Sequence, residues 1–364
     1  MRHVTHRGLR SLNPIMALLL AVGLLVAAAW PVVASATPAA SPSILVFVHG
    51  TCVEGRDYQA GGTVKVVQKR NGDIIATSSL PIVSSSWRTC VKTILAGDQL
   101  VVKQTLASNT TSNRTIGVPF LTVTLDAATN VESGHAPDPG SLVNFGITQM
   151  VGGLRAFSGG KGANTDVSGN FSGDWTAFVD VRAGDVAQLF WYAPSGDTFI
   201  VTSATPSVNV EVGKATVTGT GPYRSATTTL RTSAGSLRGT ATGAVTGTES
   251  KLLATFRSSG ASVKVKVGDR VRSSRIAGSY KVRASDVVVR KAGNGSLTAT
   301  CAPGSDYAIT LNGAWTVSGF AGVGGVISST NVSRGSGPLL KGSEVRLGCR
   351  LPSGFGQVFT VIVQ

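Results

Sequence analysis

The chain has 364 residues, 42% hydrophobic and only 14% charged, with 45 Gly, 14 Pro and a formal net charge of +15. That length exceeds one ordinary domain of about 100–200 residues, so several folding units are expected. The low charge and ample apolar content exclude a disordered polyelectrolyte, and a long coiled coil needs Ala, Glu, Lys, Leu and Arg in bulk.

The N-terminus reads as an address. Arg2, Arg7 and Arg10 form a positive region, Ile15 to Ala34 is apolar, and Ala34-Ser35-Ala36 is a small-x-small cleavage site. Residues 1–36 are therefore expected to be a signal peptide and 37–43 a flexible linker. The alternative is an uncleaved anchor, because about twenty apolar residues span ~30 Å of hydrocarbon. Both readings place the remainder outside the cytoplasm, secreted or at the cell surface.

The rest of the chain repeats itself. Leu95-Ala96-Gly97-Asp98-Gln99-Leu100 recurs as Val181-Arg182-Ala183-Gly184-Asp185-Val186, as Lys266-Val267-Gly268-Asp269-Arg270-Val271, and more faintly as Leu340-Lys341-Gly342-Ser343-Glu344-Val345. The glycines stand 87, 84 and 74 residues apart. Trp87, Trp175, Phe256 and Trp315 precede the copies as candidate core anchors, and alternating segments near 121–125, 208–212, 287–290 and 358–363 follow as candidate closing strands. Short connectors then lead to the next unit. Val, Thr and Ile carry branched Cβ atoms that suit a pleated, half-buried surface, and alternation such as Val263-Lys264-Val265-Lys266-Val267 turns one set inward. Asn71-Gly72 is a hairpin signal. No long window keeps a helical apolar period. The expected fold is all-β: four tandem immunoglobulin-like β-sandwich modules at 44–125, 126–212, 213–291 and 292–364, each with its own core, like beads on a string.

Cys52 and Cys90 fall in the first unit, Cys301 and Cys349 in the last. An even count in an exported chain predicts disulfides, and the unit boundaries predict two local bridges, Cys52–Cys90 and Cys301–Cys349. A zinc site is the weaker reading because no two cysteines are close in sequence.

The run Thr165-Asp166-Val167-Ser168-Gly169-Asn170-Phe171-Ser172-Gly173-Asp174-Trp175, followed by Arg182-Ala183-Gly184-Asp185, resembles bacterial secreted and cell-surface proteins built of tandem immunoglobulin-like repeats. In that group a turn of the type Asp-x-x-Gly-x-aromatic leads into a strand and then a Gly-Asp corner. The third unit departs from it at Gly243 to Thr248, and the fourth at Gly342-Ser343-Glu344. The resemblance implies a spacer, adhesive or binding protein.

An enzyme finds little support. Phe47-Val48-His49-Gly50-Thr51 resembles the His-Gly turn of α/β-hydrolases, but no Gly-x-Ser-x-Gly elbow occurs, and beyond residue 36 only His49 and His135 remain. Acids are densest at Asp166, Asp174, Asp180, Asp185 and Asp197. Most stand beside Gly or Ser, where a carboxylate bonds its own turn. A surface calcium site at Asp166 and Asp174 is the alternative reading, and catalysis by paired acids is a third. No other cofactor is expected.

Charge is the sharper hint. The four units carry net charges of +4, −6, +12 and +2. In the third, Lys264 with Lys266, Arg270 with Arg272, and Lys281 with Arg283 are each two residues apart and so share a strand face. Such a stripe predicts binding to a polyanion: an acidic cell-wall polymer, an acidic polysaccharide, extracellular DNA or an anionic lipid surface. The plain reading is a solvated face whose lysines guard a sheet edge. A dedicated nucleic-acid reader is not expected, since few aromatics interleave the cations. Head-to-tail contact between the acidic second and basic third units of neighbouring molecules is a further expectation. So is a partner in the cell envelope or extracellular matrix. Sequons at Asn109, Asn113, Asn294 and Asn331 mark candidate glycosylation positions.

Overall fold

The computed structural model describes residues 42–221, 225–243, 245–246, 251–284, 288–291, 296–329 and 340–363. The expected signal peptide, Asn294 and Asn331 lie outside the described residues. Every regular element among the described residues is a strand, as the branched, alternating sequence predicts.

Four successive groups of strands repeat one pairing pattern. The first holds β1 (Ser43–Val48), β2 (Cys52–Arg56), β3 (Gly62–Arg70), β4 (Asp73–Ile82), β5 (Trp87–Cys90), β6 (Gln99–Leu106) and β7 (Thr111–Gly117). They pair as β1-β2-β5 against β4-β3-β6-β7. The second holds β8 (Thr122–Asp126), β9 (Val131–His135), β10 (Leu142–Val151), β11 (Leu154–Asn164), β12 (Asn170–Asp174), β13 (Val186–Tyr192) and β14 (Thr198–Ala204), paired as β8-β9-β12 and β11-β10-β13-β14.

The third holds β15 (Ser207–Glu211), β16 (Thr216–Thr220), β17 (Ala226–Arg231), β18 (Leu237–Gly243), β19 (Val245–Thr246), β20 (Lys251–Thr255), β21 (Arg257–Ser258), β22 (Ala261–Ser262), β23 (Arg270–Ser273) and β24 (Ile276–Lys281). Its sheets contain β15-β16-β20 and β18-β17-β23-β24. The fourth holds β25 (Val288–Lys291), β26 (Ser296–Thr300), β27 (Asp306–Leu311), β28 (Ala314–Phe320), β29 (Val326–Ser329), β30 (Glu344–Arg350) and β31 (Phe355–Ile362), paired as β25-β26-β29 and β28-β27-β30-β31. Each group, termed a lobe, contributes a three-stranded and a four-stranded set of paired strands, consistent with a β-sandwich.

Three of the four segments expected to close a unit instead open the next one, and the fourth, within β31, closes its lobe against β30. β8, β15 and β25 pair with the strands that follow them, β9, β16 and β26. The connectors from β8 to β9 and from β15 to β16 are hairpin loops, and Asn130 takes the left-handed conformation (φ 57°) that such a turn needs. Alternation marks a strand without naming its partner.

Two parallel junctions then fuse the lobes in pairs. β1 lies parallel to β14, with Leu45 opposite Thr198, and β15 lies parallel to β31, with Val208 opposite Phe355. The sheet order β11-β10-β13-β14-β1-β2-β5 therefore reappears as β28-β27-β30-β31-β15-β16-β20. Residues 43–204 and 207–362 are two copies of one two-lobe topology.

The core follows the pairs. One buried cluster runs from Ile44 and Val46 through Trp87 and Leu100 to Phe145, Trp175 and Val201, so the first two lobes share an interior. The third lobe has a cluster around Val208, Leu230, Phe256 and Tyr280 that admits Phe355 from the fourth. Lobe 4 centres on Ile309, Leu347 and the Cys301–Cys349 pair. Lobe 2 also packs on lobe 4, where Val151, Leu154 and Ala156 bury against Ala308. The expectation of separate cores is corrected accordingly, because the parallel junctions and this contact bury residues that beads on a string would leave wet.

The repeated corner is built the same way in all four lobes. Gly97, Gly184, Gly268 and Gly342 have φ of 85°, 99°, 91° and 84°, a region where a Cβ is strained. The next side chain bonds back three residues: Asp98 Oδ2 accepts the Leu95 N–H at 2.9 Å, Asp185 Oδ2 that of Arg182 at 2.8 Å, and Asp269 Oδ2 that of Lys266 at 2.8 Å. Ser343 Oγ accepts the Leu340 N–H at 3.2 Å, which explains why serine serves there.

Candidate functional site

The basic stripe of lobe 3 is assembled by strand register. Arg231 on β17 stands directly opposite Arg270 on β23, and Arg270 opposite Lys281 on β24. Between them Val271 and Tyr280 turn inward, while Arg270, Arg272, Lys281 and Arg283 are exposed. Directly opposed side chains have Cβ atoms about 4.5–5.5 Å apart, and like charges so placed repel.

Lys264 and Lys266 flank the inward Val265 in the corner that leads into β23, and both are exposed. Arg238 ties that corner to the sheet by bonding the Asp269 carboxylate and the Lys264 carbonyl. Among the described residues no ion pair joins Lys264, Lys266, Arg270, Arg272, Lys281 or Arg283 to a carboxylate. Sequence reasoning missed Arg231, because its place in the row depends on which strand lies beside β23.

Both local disulfides form. Cys52 and Cys90 face each other across β2 and β5 with Cα atoms 4.0 Å apart, and Cys301 joins Cys349 with Cα atoms 5.7 Å apart. Asp166 Oδ1 accepts the N–H groups of Ser168 at 2.8 Å and Asn170 at 2.9 Å, and Asp174 Oδ1 accepts that of Thr176 at 2.8 Å. These bonds hold both carboxyls below their ordinary pKa. The two acids flank opposite ends of β12, each capping its own turn, and no group of three or more His, Cys, Asp or Glu gathers as a metal cluster among the described residues. His49 sits in a turn just past β1 with φ 64°, and the His135 ring tilts against Phe120 at 5.8 Å.

Two charge centres went unread in the sequence. At the corner of lobe 1, Arg70 Nε donates to Asp98 Oδ1 at 2.7 Å. Burial works to raise the Asp98 pKa, but bonds from Arg70, the Leu95 N–H and Gln68 hold it below its ordinary value. Lobe 3 repeats the pair as Arg238 with Asp269. In lobe 2 the partner comes from elsewhere: Arg350 of lobe 4, fully buried, bonds Asp185, the carbonyls of Met150 and Ala183 at 3.1 Å each, and Asp306 at 3.0 Å. Nothing near Arg350 in the sequence marks it, since its lobe 2 partners lie more than 160 residues away and Asp306 lies 44 residues away.

The second centre is Glu132, wholly buried on β9, where its Oε2 accepts the Trp175 indole N–H at 3.1 Å. Burial pushes its pKa up to about 8, against the opposing pull of the Trp175 bond and Lys161. The strand alternation that marks inward positions includes this one, but the carboxylate reads as surface.

No family model matches the chain, and no curated protein matches it. Among solved structures that match is a biofilm-associated protein BSP domain, 8% identical, covering 89% of this chain and 96% of that one with a TM-score of 0.19. Another comes from work on host cell surface retention of a 1.5-MDa bacterial ice-binding adhesin, 9% identical, covering 89% and 97% with a TM-score of 0.18. Likeness at that level carries no functional argument.

Proposed function

We propose that this chain is a non-catalytic extracellular adhesive protein that grips an acidic polymer through the exposed sheet face of lobe 3. The observation that carries the reading is the row Arg231–Arg270–Lys281, three cations opposite one another on adjacent strands, with Arg272 exposed on β23 and Arg283 exposed just past the end of β24. Unrelieved repulsion of this kind costs stability, and a polyanion laid across the strands relieves it. Two disulfides support an oxidising compartment. The fused lobe pairs support a stiff scaffold that holds the face outward.

The test is retention of the intact chain on a heparin resin along a salt gradient. Elution well above physiological salt is expected, with a shift to low salt when Arg270, Arg272 and Lys281 are changed to Ser, and no change in melting temperature beyond a small gain. Equal elution of both proteins sinks the reading and leaves a solvated face.

A further inference from the structure

Where lobe 2 meets lobe 4, a cleft of about 380 Å³ opens between the loop leading from β12 to β13 and the strands β27 and β28. Phe178 and Phe320 line it while 64% and 56% exposed, an unusual cost for two phenyl rings at one opening. Asp180, Arg182, Asp306 and Tyr307 supply the polar lining.

These charges already answer one another. Arg182 reaches Asp180 at 2.6 Å and Asp306 at 3.5 Å, and its guanidinium lies 5.7 Å from the centre of the Phe320 ring. Each Arg182 and Arg350 contact on these acids falls on Oδ2. The Oδ1 atoms of Asp180 and Asp306 thus keep their lone pairs, with no protein donor among the described residues. A free ion therefore gains little here. A flat ligand with an apolar face and a rim of hydroxyls gains ring contact and two open acceptors together. The volume and the position at a lobe interface also fit a small-ligand site.

We propose that this interlobe cleft binds a neutral saccharide unit, independently of the basic face of lobe 3. The phenyl rings stack on the sugar, and the two free carboxylate oxygens accept its hydroxyls. The cleft and the basic face then give the protein two contacts of different chemistry.

The experiment is a printed array of neutral gluco-, manno- and galacto-oligosaccharides, with heparin oligosaccharide and choline as charged controls. Titration calorimetry of the intact chain follows with the best neutral binder. Binding of a neutral oligosaccharide that is unchanged between low and high salt is expected. It should weaken at least about tenfold in Phe178→Ala/Phe320→Ala and in Asp180→Asn, and stay unaltered in the Arg270/Arg272/Lys281 variant. Both rings are exposed, so the variants should keep the parent melting temperature. No neutral binder on the array, preference for choline, or binding that survives the double change would overturn the proposal. None of these outcomes bears on heparin retention, which tests the other face.

Discussion

Residues 43–204 and 207–362 share one topology but lock it differently. Ala136 and Cys301 occupy the same place, each donating its N–H at 2.9 Å to the glycine carbonyl of the following turn, Gly169 and Gly325. By the same register Trp191 stands where Cys349 does, packed on Phe199 with ring centroids 5.4 Å apart. Conversely, Cys52 and Cys90 of the first half correspond to Thr216 and Thr255 of the second. Each half is stapled once, in opposite lobes. Glu132 of the first half has Leu297 as its counterpart, and both are almost fully buried. What the halves have in common is strand order and the glycine corner; cross-links and buried charges vary on top of it.

The largest expected break is at Arg350. Changing it to Ala leaves Asp185 and Asp306 without their guanidinium in a dry interface, a loss of about 3–5 kcal/mol measured by denaturant unfolding. Adding Asp185→Asn should recover part of that loss, as a double-mutant cycle reads. The matching change Arg238→Ala, at a pair that solvent still reaches, should cost clearly less. Equal losses would mean that the cross-lobe location adds nothing.

Removing one staple comes next. Cys301→Ala/Cys349→Ala frees a loop with a sequence separation of 48 and should cost up to about 4 kcal/mol on the chain-entropy model. The reverse experiment sharpens the equivalence: Ala136→Cys with Trp191→Cys should form a third bridge under air or oxidised glutathione, which takes up the two electrons, read as the loss of two hydrogen atoms by mass spectrometry. Two free thiols there would mean that the halves are alike in order but not in distance.

Smaller, and visible only as a function of pH, is the effect of Glu132. Its pKa rises from 4.5 to about 8 on folding, so the folded state holds a proton that the unfolded chain releases. That contribution is complete below about 4.5 and is lost as pH rises through about 8, a change on the order of a few kcal/mol. The melting temperature should therefore fall between pH 5 and pH 9. Glu132→Gln, which keeps an acceptor for Trp175, should flatten this slope, as should Glu132→Leu, the choice made by the second half.

The contrast also shows what a linear reading of this chain reaches. Branched alternation gave the all-β class, and the recurring Gly-Asp corner, demanded by positive φ and a back-bonding carboxylate, marked each lobe because both devices are local. The unit boundaries drawn from that repeat also placed the disulfides. The direction in which β8, β15 and β25 pair was hidden, because a strand's own residues do not say which neighbour receives its hydrogen bonds. Arg231 in the cation row and Arg350 in the interface were hidden for the same reason. The interlobe cleft was out of reach, since Phe178 and Phe320 are brought to it by lobe packing.

The parallel junction of β1 and β14 has a consequence for how the polypeptide acquires its form. The Ile44 N–H donates to Asp197 Oδ1 at 3.0 Å across 153 residues, so the first strand stays incomplete until the hairpin near residue 197 has been made. Contacts that distant slow the search for the native arrangement. During synthesis β1 waits with an open edge, and any helper that shields it acts on that interval.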